Sequence, residues 1–159
     1  MRTIKDVLDN GLKRNEVLAL DISTKCGYFT SGLSGQKCFN DSNHQIRLQK
    51  YADWLSDLIL RNGIKIVCIE DYVLRYKQST AVLLELHGIT KLICADLDIP
   101  VITFSVATIK YFATHNGKAT KEDMIKAISK RFHIDCETDD EADAAAIYYL
   151  FISRYEITT

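Results

Sequence analysis

"VLALDIS", residues 17–23, sets four apolar side chains in a row and then a carboxylate, Asp21. An apolar run that short predicts a strand buried on both faces, and hence a sheet with helices against it. Working outward, "GYFTSGLSGQKCF" (27–39) reads as two further strands about a Ser34-Gly35 turn. "IKIVCIEDY" (64–72) repeats the first pattern and again ends in an acid, Glu70. Between them, "SNHQIRLQKYADWLSDLILRNG" (42–63) has helical period in Ile46, Leu48, Tyr51, Leu55, Leu58 and Ile59, and Gly63 ends it. "TAVLLELHGITKLICADLD" (80–98) predicts a long helix and "PVITFS" (100–105) a strand. "TKEDMIKAISKRF" (120–132) predicts a helix opened by Thr120, and "DDEADAAAIYYLFISRY" (139–155) a last one. Ahead of this, "TIKDVLDNGL" (3–12), apolar at Ile4, Val7, Leu8 and Leu12, predicts a short helix in an extension covering residues 1–15. Residues 16–159 are then expected to form a single domain.

The order βββ-α-β-α-β-α-α predicts an α/β fold. Its sheet is mixed, with an antiparallel three-strand start and then parallel strands, and helices lie on both faces. Sites in such sheets gather at the carboxyl ends of central strands. Asp21 and Glu70 both stand there.

Composition adds bounds. The chain has 159 residues, 47% hydrophobic and 26% charged, as in an ordinary soluble domain. Five scattered cysteines with no CxxC point to reduced thiols in a cytoplasm, that of a host cell if the source is viral. "MRTIKDVLDNGLKRN" lacks a signal peptide's apolar stretch, and no window is apolar enough to span a membrane. The net charge of −1 does not announce a polyanion partner, but four acids occupied by cations would turn it into +3.

The last helix opens with Asp139, Asp140, Glu141 and Asp143. Thr138 with Glu141 makes a capping-box pattern, and first-turn acids suit the helix dipole. Asp143 lies beyond that turn. Helical spacing puts it on one face with Asp140 and Ile147, the face that Leu150 and Phe151 mark as inward. Inward carboxylates are costly without a partner, and a hard cation is one. Asp21, Glu70, Asp140 and Asp143 thus form a candidate oxygen-ligand cluster with no His or Cys placed to soften it. Two Mg²⁺ or Mn²⁺ ions held there would suit phosphodiester cleavage. Each acid also has an ordinary reading: Asp21 bonded to the Ser23 or Thr24 turn, Glu70 paired with a Lys or Arg, Asp140 as a first-turn acid.

"LALDIS", "VCIEDY" and "DDEADAAAIYYL", in this order and spacing, resemble the RuvC-type Holliday junction resolvases of the ribonuclease H-like superfamily. "LHGITKLICADLDIPVITFSVATIK" and "GKATKEDMIKAI" extend the resemblance from about Val17 to the C-terminus. It implies a ribonuclease H-like fold and Asp21, Glu70, Asp140 and Asp143 as metal-binding, catalytic carboxylates. It further implies Lys121 as a catalytic lysine and Lys110 as a second basic residue near the scissile phosphate. The implied reaction is Mg²⁺-dependent cleavage of a four-way junction by paired nicks, with two ions per site (Mn²⁺ substituting) and a homodimer facing two strands. A family aromatic that probes the junction corresponds to Val73, with Tyr72 and Tyr76 beside it as substitutes. Whether a motor partner exists is not implied.

DNA phosphates would be met by Arg75, Lys77, Lys110, Lys118 and Lys121, with Tyr72 and Tyr76 stacking on unpaired bases. The plain alternatives are a solvated "RYKQ" loop and an ordinary helix face interrupted by Glu122 and Asp123. Other functional readings are a sibling nuclease for flaps, other branched DNA or RNA, and a non-catalytic junction-binding module. "LDISTKCGYF" also resembles the first phosphate loop of actin-like ATPases and sugar kinases, but those need two such domains, and this length suits one.

Overall fold

The computed structural model describes residues 1–71 and 79–158. The chain opens with α1 (Ile4–Asp9), where Thr3 Oγ1 accepts from the Asp6 N–H and the Asp6 carboxylate accepts from the Thr3 N–H. A 3₁₀ turn (Arg14–Glu16) leads to β1 (Val17–Asp21), β2 (Lys25–Phe29) and β3 (Ser34–Cys38). Then come α2 (His44–Asn62), β4 (Ile66–Glu70), α3 (Ser79–Asp96), β5 (Val101–Phe104), α4 (Val106–Thr114), α5 (Lys121–Phe132) and α6 (Asp139–Arg154). Asn43 caps the start of α2, and Gly63 ends it in the left-handed region.

The five strands form one sheet in the order β3-β2-β1-β4-β5. The β1–β2 and β2–β3 pairs are antiparallel, while β1–β4 and β4–β5 are parallel. This is the mixed sheet expected from the order of elements. Strand alternation divides the core in two. Val17, Ala19, Ile66 and Cys68 pack with α1, α4, α5 and α6 on one face. Leu18, Leu20, Val67 and Ile69 pack with α2 and α3 on the other. Val7 and Leu12 from the first segment are buried in the α6-side core, and Arg14 Nε donates to the Ile157 carbonyl near the far end of the chain. All five cysteines are unpaired. Among the described residues, no helix is long and apolar enough to cross a membrane.

Three local expectations need correction. The β2–β3 turn is not at Ser34-Gly35 but earlier, where Thr30 N–H donates to the Leu33 carbonyl and Thr30 Oγ1 accepts from Gly32 and Leu33. Ser34 and Gly35 belong to β3, opposite Phe29 and Tyr28. Helix α4 was absent from the expected order. Val106, Thr108 and Ile109 weaken its helical signal, and Ser105, assigned to the strand before it, is in fact its N-cap, accepting from the Thr108 N–H. Ile46 was placed on the buried face of α2 and is 46% exposed.

Helix α6 lies unusually close to β2. Ala142, Ala144, Ala145 and Ala146 are all buried, which lets its backbone descend onto the sheet. At the closest point, a Cβ added to Gly27 would stand 1.9 Å from the Asp140 carbonyl oxygen. Backbone meets backbone there, so no rotamer change relieves the overlap. Gly27→Ala should therefore lower the unfolding free energy by about 1–3 kcal/mol or more, as overpacking does. Gly88→Ala, in α3 with nothing within 4 Å of the added Cβ, should be neutral or stabilising by up to about 1 kcal/mol. Urea unfolding of both variants checks the contrast.

Candidate active site

The parallel register pairs Leu20 with Ile69, one residue short of each strand's end. Asp21 and Glu70 therefore finish adjacent strands side by side, about 4.8 Å apart in the pairing direction. By alternation, both share the face of Ala19 and Cys68, the face covered by α6. Across β2, Asp21 pairs with Gly27, and Gly27 abuts the Asp140 backbone. The first turn of α6 is thereby held over the end of β1. Asp143, just under one helical turn along, falls on the same side as Asp140. The structure thus brings together the four carboxylates that the sequence singled out.

Their electrostatics follow from that crowding. Burial, with Asp143, Glu70 and Asp140 alongside, pushes the Asp21 carboxyl well above the usual carboxylate range. Burial and Asp143 push Glu70 up to about 7, against the opposing charge of Lys110. Burial pushes Asp143 up to about 6, although Lys121 opposes it. Lys110 and Lys121 thus bear on the cluster from two sides. Lys110 Nζ also donates to the Ala119 carbonyl at 2.9 Å, which ties α4 to the loop before α5. Lys121 pairs with the Asp139 carboxylate, a contact that raises the lysine and lowers the acid. Lys118 stands exposed in the loop before α5, outside this group. Tyr72, Val73, Arg75, Tyr76 and Lys77 lie outside the described residues.

The cap of α6 forms, but not as a closed box. Thr138 Oγ1 accepts from the Glu141 N–H, while the Glu141 carboxylate accepts from Glu137 N–H at 2.9 Å. Glu141 is 6% exposed and serves this cap. One neighbour of the cluster was missed in the sequence: Gln36, whose Nε2 donates to the Asp140 carboxylate. Its signal resides in strand pairing, since Gln36 lies opposite Gly27, and nothing in the local sequence marks it.

Hard oxygen donors without His or Cys suit a cation such as Mg²⁺ or Mn²⁺, and buried carboxylates that resist ionisation are the groups such a charge stabilises. Among the described residues, no three such side chains stand close enough together to enclose an ion. Asp140 is turned toward Gln36 and Asp139 toward Lys121. The donor chemistry fits a hard cation, and Asp21, Glu70, Asp140 and Asp143 are the side chains that would hold one.

A family model described as crossover junction endodeoxyribonuclease RuvC matches residues 9–150. This chain belongs to the RuvC family. The RuvC of Prochlorococcus marinus (strain AS9601) is 26% identical over 148 residues, covering 88% of this chain and 90% of that protein. Thermus thermophilus RuvC in complex with Holliday junction substrate has a TM-score of 0.74 at 16% identity, covering 89% of this chain and 96% of the other. The yeast mitochondrial Holliday junction resolvase has a TM-score of 0.64 at 15% identity, covering 96% and 84%. These structural likenesses establish the RuvC-type, ribonuclease H-like fold.

Raised carboxylates make the metal-free RuvC fold sensitive to pH. Glu70 binds a proton more tightly folded than unfolded, so its contribution is fully present below about pH 4.5. That contribution is lost as pH rises through about 7. His87, lowered to about 4 by burial, acts in the opposite sense below pH 6.5, so a comparison of variants isolates the carboxylate. In chelator, wild type should lose on the order of 2–3 kcal/mol relative to Glu70→Gln between pH 5 and pH 8. Mg²⁺ should restore the wild type more at pH 8 than at pH 5. Urea denaturation across that range measures both.

Proposed function

We propose that this protein is a divalent-metal-dependent endonuclease that resolves four-way DNA junctions by paired nicks, as its RuvC family membership and the architecture of its acidic site support. The observation that carries the reading is the register that sets Asp21 beside Glu70 under the Asp140–Asp143 face of α6.

Asp21, Glu70, Asp140 and Asp143 hold two Mg²⁺ ions, with Mn²⁺ as a substitute. Bound there, the ions supply Lewis-acid activation of water and stabilisation of the leaving oxygen. The remaining work falls to the chain's own residues. The α6–β2 contact holds the backbone of α6 over the end of β1 before DNA arrives, so what is left for cation binding is side-chain rotation, including release of Asp140 from Gln36. Lys121 sets positive charge beside Asp143 and Asp21, where the phosphate must approach past four acids. Lys110 does the same at the Glu70 side. Lys118, Arg75 and Lys77 extend the phosphate contacts, and Tyr72 or Tyr76 stacks at the branch point where Val73 replaces the family aromatic. Residues 16–159 form the nuclease unit and residues 1–15 brace it. The active species is a homodimer in a cytoplasm, because paired nicks need one site per strand.

The test is cleavage of a labelled mobile four-way junction beside matched duplex, flap and RNA substrates in Mg²⁺. Wild type should make symmetric paired nicks in the junction, and Asp143→Asn should be slower by roughly a hundred-fold or more. Preference for flaps or RNA would move the protein to a sibling nuclease with the same acids. Tight junction binding with no cleavage of any substrate would make it a binding module.

A further inference from the structure

The positive charge of this chain is segregated. Residues 106–133 carry six Lys and Arg (110, 118, 121, 126, 130 and 131) against Glu122 and Asp123, a net of +4. The whole chain is −1, so everything else together carries −5. Lys110 and Lys121 belong with the acidic cluster. Lys126, Lys130 and Arg131 do not, and all three are exposed on the later turns of α5.

Two adjoining hollows open on this α4–α5 face, and none of the four clustered carboxylates lines either of them. The first, about 630 Å³, is walled mainly by apolar groups, among them Tyr111, Phe112 and Leu150. The second, about 760 Å³, is lined by Lys126, Lys130 and Asn116. Its one acid, Asp123, is engaged by the Thr120 N–H and hydroxyl at the head of α5. His115 and Arg131 line both hollows and form the wall between them. That wall is firmly built. Arg131 donates to the Phe112 carbonyl at 2.6 Å with its guanidinium 4.4 Å from the Phe112 ring centre. His115 closes α4 in the left-handed region at φ 58°, its ring edge-on to Tyr111. Tyr111 itself is 61% exposed, although an aromatic of that size is ordinarily packed.

An accessible aromatic beside a fixed cation wall, with two further lysines one helical turn apart, matches a nucleotide's two halves: a flat base and an anionic phosphate. We infer that the α4–α5 face is a second DNA site, which holds an unpaired strand segment with a base against Tyr111 and its phosphates along Lys126, Lys130 and Arg131. DNA as the polyanion rests on the nuclease reading; the stacking-plus-phosphate chemistry does not. The site keeps a displaced or unpaired strand of the branched substrate apart from the acidic cluster, where the proposed cut is made. It also accounts for how a chain of net charge −1 engages a polyanion.

Fluorescence anisotropy of a labelled oligo(dT) of about twelve nucleotides, and of a matched duplex, tests this in chelator, where no cleavage intervenes. Lys126→Glu with Lys130→Glu should weaken oligo(dT) binding by at least about tenfold and reduce the salt slope by about 1–2. Tyr111→Ala should weaken oligo(dT) roughly five- to hundred-fold while changing duplex binding less than about twofold. Both variants alter exposed side chains and should melt as the wild type does, and both should nick saturating junction in Mg²⁺ at the wild-type rate. Unchanged oligo(dT) affinity in both variants, or equal loss of duplex and oligo(dT) affinity on Tyr111→Ala, would overturn the site. A wild type that binds oligo(dT) through these residues but nicks no junction would leave this site standing and sink the nuclease reading instead.

Discussion

The backbone of α6 touches the backbone of β2 at Gly27, and that contact sets Asp140 and Asp143 over the strand ends that carry Asp21 and Glu70. Left to themselves, these groups would separate. Three of them are pushed above their ordinary range by burial and by one another, which opposes folding by a few kcal/mol at neutral pH. What overrides the repulsion is the apolar remainder of the same helix. Ile147, Leu150, Phe151 and Ile152 are each at most 7% exposed, and each contributes about 1.5–3 kcal/mol by burial. The helix is anchored by its second half and carries charge on its first. Asp143 is therefore held where its own electrostatics would not put it, and a bound cation would remove the conflict.

Charge outside the cluster is organised with equal economy. Lys110 and Lys121 bear on the acids from α4 and from the start of α5, and the other basic residues of α5 continue away from them. A polyanion drawn to this face meets cations before it meets carboxylates. Net charge conceals this, because a surplus of acids on the rest of the molecule balances the sum. The first fourteen residues serve a different end. Val7 and Leu12 fill the α6-side core, Arg2 pairs with Asp98 just past α3, and Arg14 holds Ile157. Val7 and Leu12 thereby brace the face of the sheet on which the acidic cluster stands.

Much of this was legible in the sequence, for definite reasons. "VLALDIS" and "IVCIED" could be read because a strand buried on both faces has no polar alternation, so the acid that ends it stands out. Asp140 and Asp143 could be read because helical spacing ties them to Ile147. What escaped depends on pairing between distant segments. Gly27 and Gln36 matter because β2 and β3 lie beside β1 in a particular register, and neither residue looks unusual among its sequence neighbours. Helix α4 escaped because its β-branched residues resemble the strand before it, while its cap, Ser105, was read as that strand's end. The Thr138–Glu141 pattern was half realised, since Glu141 reached back to Glu137 instead of to its own cap.

These four side chains, drawn from two strand ends and one helix, are proposed to hold hard cations together. Anomalous scattering from crystals of the protein soaked in Mn²⁺ tests this. Anomalous density is expected within reach of the carboxylate oxygens of Asp21, Glu70, Asp140 and Asp143, with Asp140 released from Gln36. Manganese found only at exposed acids such as Glu122 or Asp135, with no density among the four, would overturn it.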